Sequence, residues 1–395
     1  MIYKLSVSRR SFLLTSSAAA AGLSAGIPTM AAAQAAEELP EYVAWKNPAS
    51  VIVHSPQTIE TTREAIGASS ITASDILYVR NNLPAPPEDI VADPDVWEVA
   101  FEGVGSESTM TLGELKGYGV ENVAAVLQCS GNGRAFFDHE ASGTQWSVGA
   151  AGNVFWTGVP LAAIVTALGG PGEGAAFLTA TGGEALPEGL DPLSIMVERS
   201  VPLDALQNAI LAYELNGAPI PVAHGGPVRL VVPGYYGVNN VKYVKKIALT
   251  AEESQAKIQQ SGYRVRPVGE SGGPSQPSMW LMPVKSWVTA PIEDTASGRV
   301  IIEGVAMGGT SEVTGVEIST DGGESWQEAT FSGPDLGPFA WRPFSMLADL
   351  APGTYEIMSR ATNADGDTQP EDFPPNERGY GHNGWRAHGV TVTLA

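Results

Sequence analysis

The sequence predicts an α+β protein, in which a mixed α/β domain of short strands and helices is followed by an immunoglobulin-like β-sandwich. Three observations carry that expectation. Glycine (45 residues) and proline (29) are plentiful while only 16% of residues are charged, a loop-rich composition unlike that of a helical bundle. Beyond about residue 284 apolar and polar residues alternate, and the alternation is cut by turns at Asp321-Gly322-Gly323 and Ala364-Asp365-Gly366-Asp367. At 395 residues the chain also exceeds one ordinary core. The expected division is a leader over 1–36, a first domain over 37–275 and the sandwich over 284–395. The Gly/Pro/Ser-rich run 268–277 would join the last two.

The leader carries Ser8-Arg9-Arg10-Ser11-Phe12-Leu13-Leu14, an Ala-rich apolar stretch and small residues over 31–36. That is the pattern of a twin-arginine export signal with its cleavage region. It implies a periplasmic mature protein, exported already folded, and such cargo often carries a cofactor. A membrane anchor fits less well, because 12–33 are mostly Ala, Ser and Gly, and no later segment is long and apolar enough to span a bilayer. Removing the leader's Lys4, Arg9 and Arg10 takes the formal charge from −21 to −24. Such a surface excludes nucleic acid and anionic lipid as partners and suits a basic protein, though solubility alone would also account for it.

In chain order, the approach 41–56 is rich in Pro and Asn, and a polar segment at 60–64 is expected to be helical. A short strand, Ile76-Leu77-Tyr78-Val79-Arg80, ends in Asn81 and Asn82 and is stopped by Pro84, Pro86 and Pro87. Strands are expected over 97–104, 176–181 and 228–232. A helix start is expected at Thr111, another at Pro202, and an amphipathic helix over 161–168 behind Pro160. Asn216-Gly217 is a turn. Residues 235–247 hold Asn239, Asn240, Lys242, Lys245 and Lys246, a basic patch in an acidic chain. In the sandwich, strands are expected over 298–306, 313–319, 325–331, 340–344, 353–361 and 390–394.

The chain's one cysteine, Cys129, ends an apolar run and opens a glycine-rich turn, Ser130-Gly131-Asn132-Gly133, followed by Arg134. It cannot form an internal disulfide, and taken alone it is an inert buried thiol, a nucleophile or a metal ligand. There is no C-x-x-C-H, so no covalently attached haem is expected in this chain, and no C-x-x-C pair for zinc or a cluster.

Taken together, these motifs resemble the sulfite oxidase family of molybdopterin enzymes, on its bacterial periplasmic sulfite dehydrogenase and Sox sulfane dehydrogenase side. The resemblance rests on Leu127-Gln128-Cys129-Ser130-Gly131-Asn132-Gly133-Arg134, Gln145-Trp146-Ser147-Val148-Gly149-Ala150 and Trp156-Thr157-Gly158-Val159-Pro160-Leu161. Ala212-Tyr213-Glu214-Leu215-Asn216-Gly217 and His224-Gly225-Gly226-Pro227-Val228-Arg229 add to it, and it runs from about residue 76 to the C-terminus. It implies a sulfite-oxidase-type molybdopterin domain and a molybdenum–molybdopterin cofactor with Cys129 as metal ligand. A soft thiolate suits that metal, and a glycine turn lets a bulky cofactor approach the backbone. It further implies Arg80, Arg134 and Arg378 as the anion pocket, with Tyr263 and Trp146 beside it, because guanidinium groups hold small oxyanions at any pH. Tyr78, Asn81, Asn82, Asp191, His224, Arg229, Asn240 and Lys242 are implied as cofactor contacts. Asn82 stands where many relatives have histidine. The activity implied is oxidation of sulfite, or a related sulfur oxyanion, with water as oxygen source, an external c-type cytochrome as acceptor and a homodimer as the working form. The alternative is a sulfane dehydrogenase subunit of a Sox-type thiosulfate-oxidising system. A reductase of the same superfamily, or an exported sandwich protein with only a binding role, fits less of the chain.

Overall fold

The computed structural model describes residues 38–395; the expected export signal lies outside the described residues. Five sheets are present among them. The first is a hairpin, Val51–Ser55 with Thr58–Thr61, closed by the short strand Val79–Arg80. The helix expected at 60–64 is displaced. Thr58–Thr61 is a strand with all four residues buried, and the helical turn Arg63–Ile66 follows Thr62, whose hydroxyl accepts from the Ala65 N–H.

The central sheet contains Glu121–Gln128, Ala151–Pro160, Ile210–Leu215, Ala218–Pro219 and Arg229–Val231, all paired antiparallel. Its partner contains Ser108–Thr111, Glu98–Glu102, Val244–Thr250, Phe177–Gly182 and Glu198–Pro202, with one parallel pairing between Val244–Thr250 and Glu98–Glu102. One core draws on both, with Val159, Leu211 and Leu230 from the central sheet and Phe101, Leu178 and Ile247 from the other. Leu161–Ala167 forms the expected helix and buries Leu161, Ile164 and Val165, an i, i+3, i+4 stripe turned to that core.

Residues 285–394 form two four-stranded antiparallel sheets. One holds Lys285–Ala290, Gly298–Met307, Trp341–Leu350 and Thr330–Phe331; the other holds Gln327–Glu328, Val313–Ser319, Gly353–Asn363 and Val390–Leu394. Inward-facing Val300, Ile302, Phe344, Val316, Ile318 and Val392 share one core, as the alternating sequence demands. The α+β expectation with a terminal sandwich is met.

The segment 376–389 leaves the sandwich and packs on the cysteine turn. The Gly381 N–H donates to Ser130 O at 2.9 Å. Beneath that turn Lys285 is 1% exposed, and its nearest polar contact is Asn132 O at 3.4 Å. Burial, then Arg63, pushes Lys285 down to about 7. An unfolded lysine keeps its proton to about 10.4, so between the two values the unfolded chain binds more protons and stability rises with pH. Lys285→Met should flatten that rise between pH 7 and 9 by up to ~1.4 kcal/mol per pH unit. Denaturant titrations check this, and equal slopes in both chains would contradict it.

Candidate active site

Strand Glu121–Gln128 runs in register with Ala151–Pro160 up to Gln128 opposite Ala151, which leaves Cys129 one residue past the end. Its N–H still donates to Ala150 O at 2.9 Å, so the thiol is held at a sheet edge. The chain then turns through Gly133 at φ 92°, a conformation that favours glycine. Behind the turn, one carboxylate oxygen of Glu60 accepts from Ser147 N (2.8 Å), Ser147 Oγ (2.7 Å) and Gly149 N (3.0 Å). Its other oxygen lies 2.7 Å from His54 Nε2.

Cys129 opens onto a cavity whose empty space, open solvent at the mouth included, is about 630 Å³. One wall is the end of Val79–Arg80 with its flanks: Tyr78, Arg80, Asn81 and Asn82. His224 and Arg229, from either end of the His224–Arg229 loop, also line the cavity, as do Asn240, Lys242, Tyr263 and Glu184. Ten of the fourteen candidate residues thus meet in one cavity, from segments far apart in sequence.

The electrostatics are lopsided. Arg80, Arg229 and Lys242 face the space, and Glu184 is the one acid among the lining residues. Burial, then Arg229, pushes Lys242 well below its ordinary value, and its Nζ donates to Asn81 Oδ1 (2.5 Å) and Ala223 O (2.6 Å). Burial, reinforced by Lys46, Lys242 and Arg229, holds His224 well below the usual histidine range. Glu184, half-buried, is pushed up to about 7 by burial. Arg229 donates from Nε to Asn240 O (3.1 Å) and from Nη1 to His224 O (2.8 Å). A cluster of buried and half-buried basic groups with one acid is a site built for anions.

Four candidates stand elsewhere, and a fifth contributes differently from expectation. Asp191 is exposed and caps the helical turn Pro192–Ile195, accepting from Leu193 N at 3.1 Å. Trp146 is fully buried, with its indole edge-to-face on His54 (5.1 Å) and Tyr78 (6.3 Å). An apolar ring of that size gains more from the core than from a wet pocket. Arg134 is buried and ties loops together, donating to Arg378 O (2.9 Å) and Thr144 O (2.7 Å); any side chain at Gly131 would collide with its guanidinium. Arg378 is half-buried off the lining, with Nε sealed and without a partner among the described residues. Asn240 lines the cavity, but its amide is spent on Val232 N, Tyr235 O and Tyr236 O. No sequence motif marks Glu60, Glu184 or Lys46 as part of the site. Only Glu184 had a local cue, the glycine pair Gly182-Gly183 before it.

The cavity fits a molybdopterin cofactor. Two buried polar atoms on its lining, Asn81 Nδ2 and Ser130 Oγ, have no partner among the described residues, a cost that a polar occupant would relieve. Gly237 presses the backbone close to the cavity wall: a Cβ there would lie 3.0 Å from the Tyr78 hydroxyl and 3.1 Å from Gln128 O. The donor set is one soft thiol beside cations and amides, which suits a metal bound to an anionic organic group.

Known proteins give the same answer. Residues 84–258 match the oxidoreductase molybdopterin-binding domain, and residues 276–394 the Mo-co oxidoreductase dimerisation domain. The chain is 32% identical to mitochondrial sulfite oxidase of Rattus norvegicus over 85% of its own length and 64% of that protein's. It therefore spans about two thirds of that relative. It is 30% identical to sulfite oxidase of Gallus gallus over 84% of this chain and 75% of that one. A crystal structure of the sulfane dehydrogenase SoxCD from Paracoccus pantotrophus superposes with a TM-score of 0.72, covering 87% of this chain and 88% of that one at 24% identity, a likeness of fold. With the lone thiol, the cation-lined cavity and the terminal sandwich all in place, this chain belongs to the sulfite oxidase family of molybdopterin oxidoreductases.

Proposed function

We propose that this chain oxidises free sulfite to sulfate, with water as the oxygen source, releasing two electrons and two protons per turnover. The observation that carries this reading is the meeting of Cys129 with Arg80, Arg229 and Lys242 in one cavity. Cys129 Sγ would ligate the metal, while His224, Arg229, Lys242 and Asn81 would hold the pterin and its phosphate. When bound, the cofactor supplies oxygen transfer and two-electron redox chemistry.

The chain's own residues bind, orient and handle protons. Arg80, at the end of its strand, donates to Asn81 O and keeps its guanidinium at the cavity, where a small oxyanion can be fixed by charge-assisted hydrogen bonds. Tyr263 stacks on Tyr380 (5.2 Å, 8° between planes), a support that holds its phenol at the lining. Glu184, titrating near neutrality, can take up a proton that the reaction releases.

Electrons would pass to a separate protein, which we propose to be a c-type cytochrome. Residues 185–194 are exposed without a break between Glu184 and Val197, both on the cavity. They carry Leu186, Leu190 and Leu193 with Glu188 and Asp191, and no basic residue. That surface supports docking of a basic redox partner. We further propose a periplasmic location, from the leader, and a homodimer. The outward, cross-strand pair Ile301 (59% exposed) and Leu347 (51%) on the sandwich supports the dimer.

Arg80→Ala should raise the KM for sulfite ~10–100-fold, the loss expected of one charged hydrogen-bonding partner, with ferricyanide as acceptor. An unchanged KM would remove Arg80 from substrate binding. Absence of sulfite turnover with turnover of carrier-bound sulfur would replace this reading by a sulfane dehydrogenase.

A further inference from the structure

Behind the cavity wall lies a lysine without a part in the chemistry above. Lys46 sits in an irregular segment yet is 2% exposed. Its Nζ reaches Ser74 O at 3.0 Å, Leu77 O at 2.6 Å and Nε2 of His224 at 3.2 Å. Carbonyl oxygens only accept, so two of the ammonium hydrogens are committed to them and the third is directed at the imidazole. An ammonium group has no lone pair. Against the ammonium form of Lys46, Nε2 is the accepting nitrogen, which puts the proton of the neutral imidazole on Nδ1; a neutral amine could instead accept from Nε2–H.

His224 lines the cavity with the Ser74 carbonyl also beside its imidazole, and its Nδ1 is not among the buried atoms sealed off without a partner. Trp45 packs edge-to-face on the ring at 5.9 Å, and the His224 carbonyl is fixed by Arg229 Nη1 at 2.8 Å. Ring and backbone are thus held from two sides. Burial draws Lys46 down to about 7 while Asp75 opposes it. A bound anion also opposes it, since negative charge nearby favours the ammonium.

We propose that Lys46 is a positioning residue for the anionic end of the cofactor: it holds Nε2 of His224 so that Nδ1–H points into the cavity as a donor. This rests on the reading that the cavity holds a pterin phosphate. The opposite tautomer would turn a lone pair towards that phosphate and repel it.

The test uses the full, cofactor-loaded chain labelled with 15N in histidine. Long-range 15N–1H correlations should report an Nδ1–H tautomer for His224, assigned by its loss in His224→Gln; an Nε2–H tautomer overturns the proposal. Lys46→Met should reduce pterin and molybdenum retained after dialysis by ~10-fold, the usual scale for removing a supporting partner. In a His224→Gln background Lys46→Met should cost nothing more, because its effect passes through that ring. An equal further loss there would make Lys46 a general structural residue and overturn the proposal. Should Lys46→Met not fold, the tautomer in the unmodified chain still decides. A wild-type chain that never retains pterin, when made in a molybdopterin-competent host, would instead sink the cofactor reading itself.

Discussion

Cys129→Ser should abolish the proposed sulfite turnover while leaving the chain folded and able to retain pterin. The side chain changes by one atom at a position 9% exposed, and the backbone anchor from Cys129 N to Ala150 O does not involve it. The cations expected to hold the pterin, Arg229 and Lys242, with His224, come from other segments of the chain and are untouched. What is lost is the soft thiolate, for which a hydroxyl is a poor substitute on such a metal. The fall should exceed the roughly 100-fold that removal of a mere supporting residue costs. Turnover with ferricyanide, pterin fluorescence and a thermal melt separate the three effects. Turnover within a few-fold of wild type would remove Cys129 from the metal.

Glu60→Ala is expected to have the largest effect on stability. The carboxylate is 1% exposed and makes four polar contacts, three of them to residues 147–149 and one to His54. Removing it leaves the part-buried Ser147 N–H and the buried Gly149 N–H without their acceptor. The neighbourhood cannot relax inwards, because the backbone of Gly149 already lies against Thr61 O, too close for any side chain. A cost of about 3–5 kcal/mol follows, as for breaking other buried charged networks. Glu60→Gln keeps one acceptor and should recover roughly half of it. Urea unfolding of both variants measures this, and a loss under about 1 kcal/mol in Glu60→Ala would show that the 147–149 loop does not depend on it.

The reach of the sequence is clearest where a pattern has one structural meaning. Alternating residues at 298–306 and 313–319 became the sandwich strands, and Pro160 before an i, i+3, i+4 stripe became a helix. The strand Ala151–Pro160 carries two glycines, Gly152 and Gly158, which weaken a strand pattern in the sequence. Each is glycine for a packing reason: at Gly158 a Cβ would lie 2.6 Å from Leu211 O on the next strand. In the site, motif residues adjoining the cysteine or a strand end were legible, and supporting charges were not. Glu60 and Lys46 lie among ordinary surface-like residues and acquire their roles only when distant loops, 147–149 and His224, fold onto them. Arg134 shows the converse. A basic side chain beside the thiol reads as a ligand for anions, yet two of its donors, on Nε and Nη1, go to carbonyls of its own chain, and it lies off the cavity lining.

The account stands most directly on steady-state turnover of free sulfite by the chain expressed in a molybdopterin-competent host, with ferricyanide as acceptor and molybdenum measured on the same sample. It predicts one molybdenum per chain, sulfite-dependent reduction of ferricyanide, and loss of that activity in Cys129→Ser. A wild-type chain fully loaded with molybdenum that leaves sulfite unoxidised would contradict it.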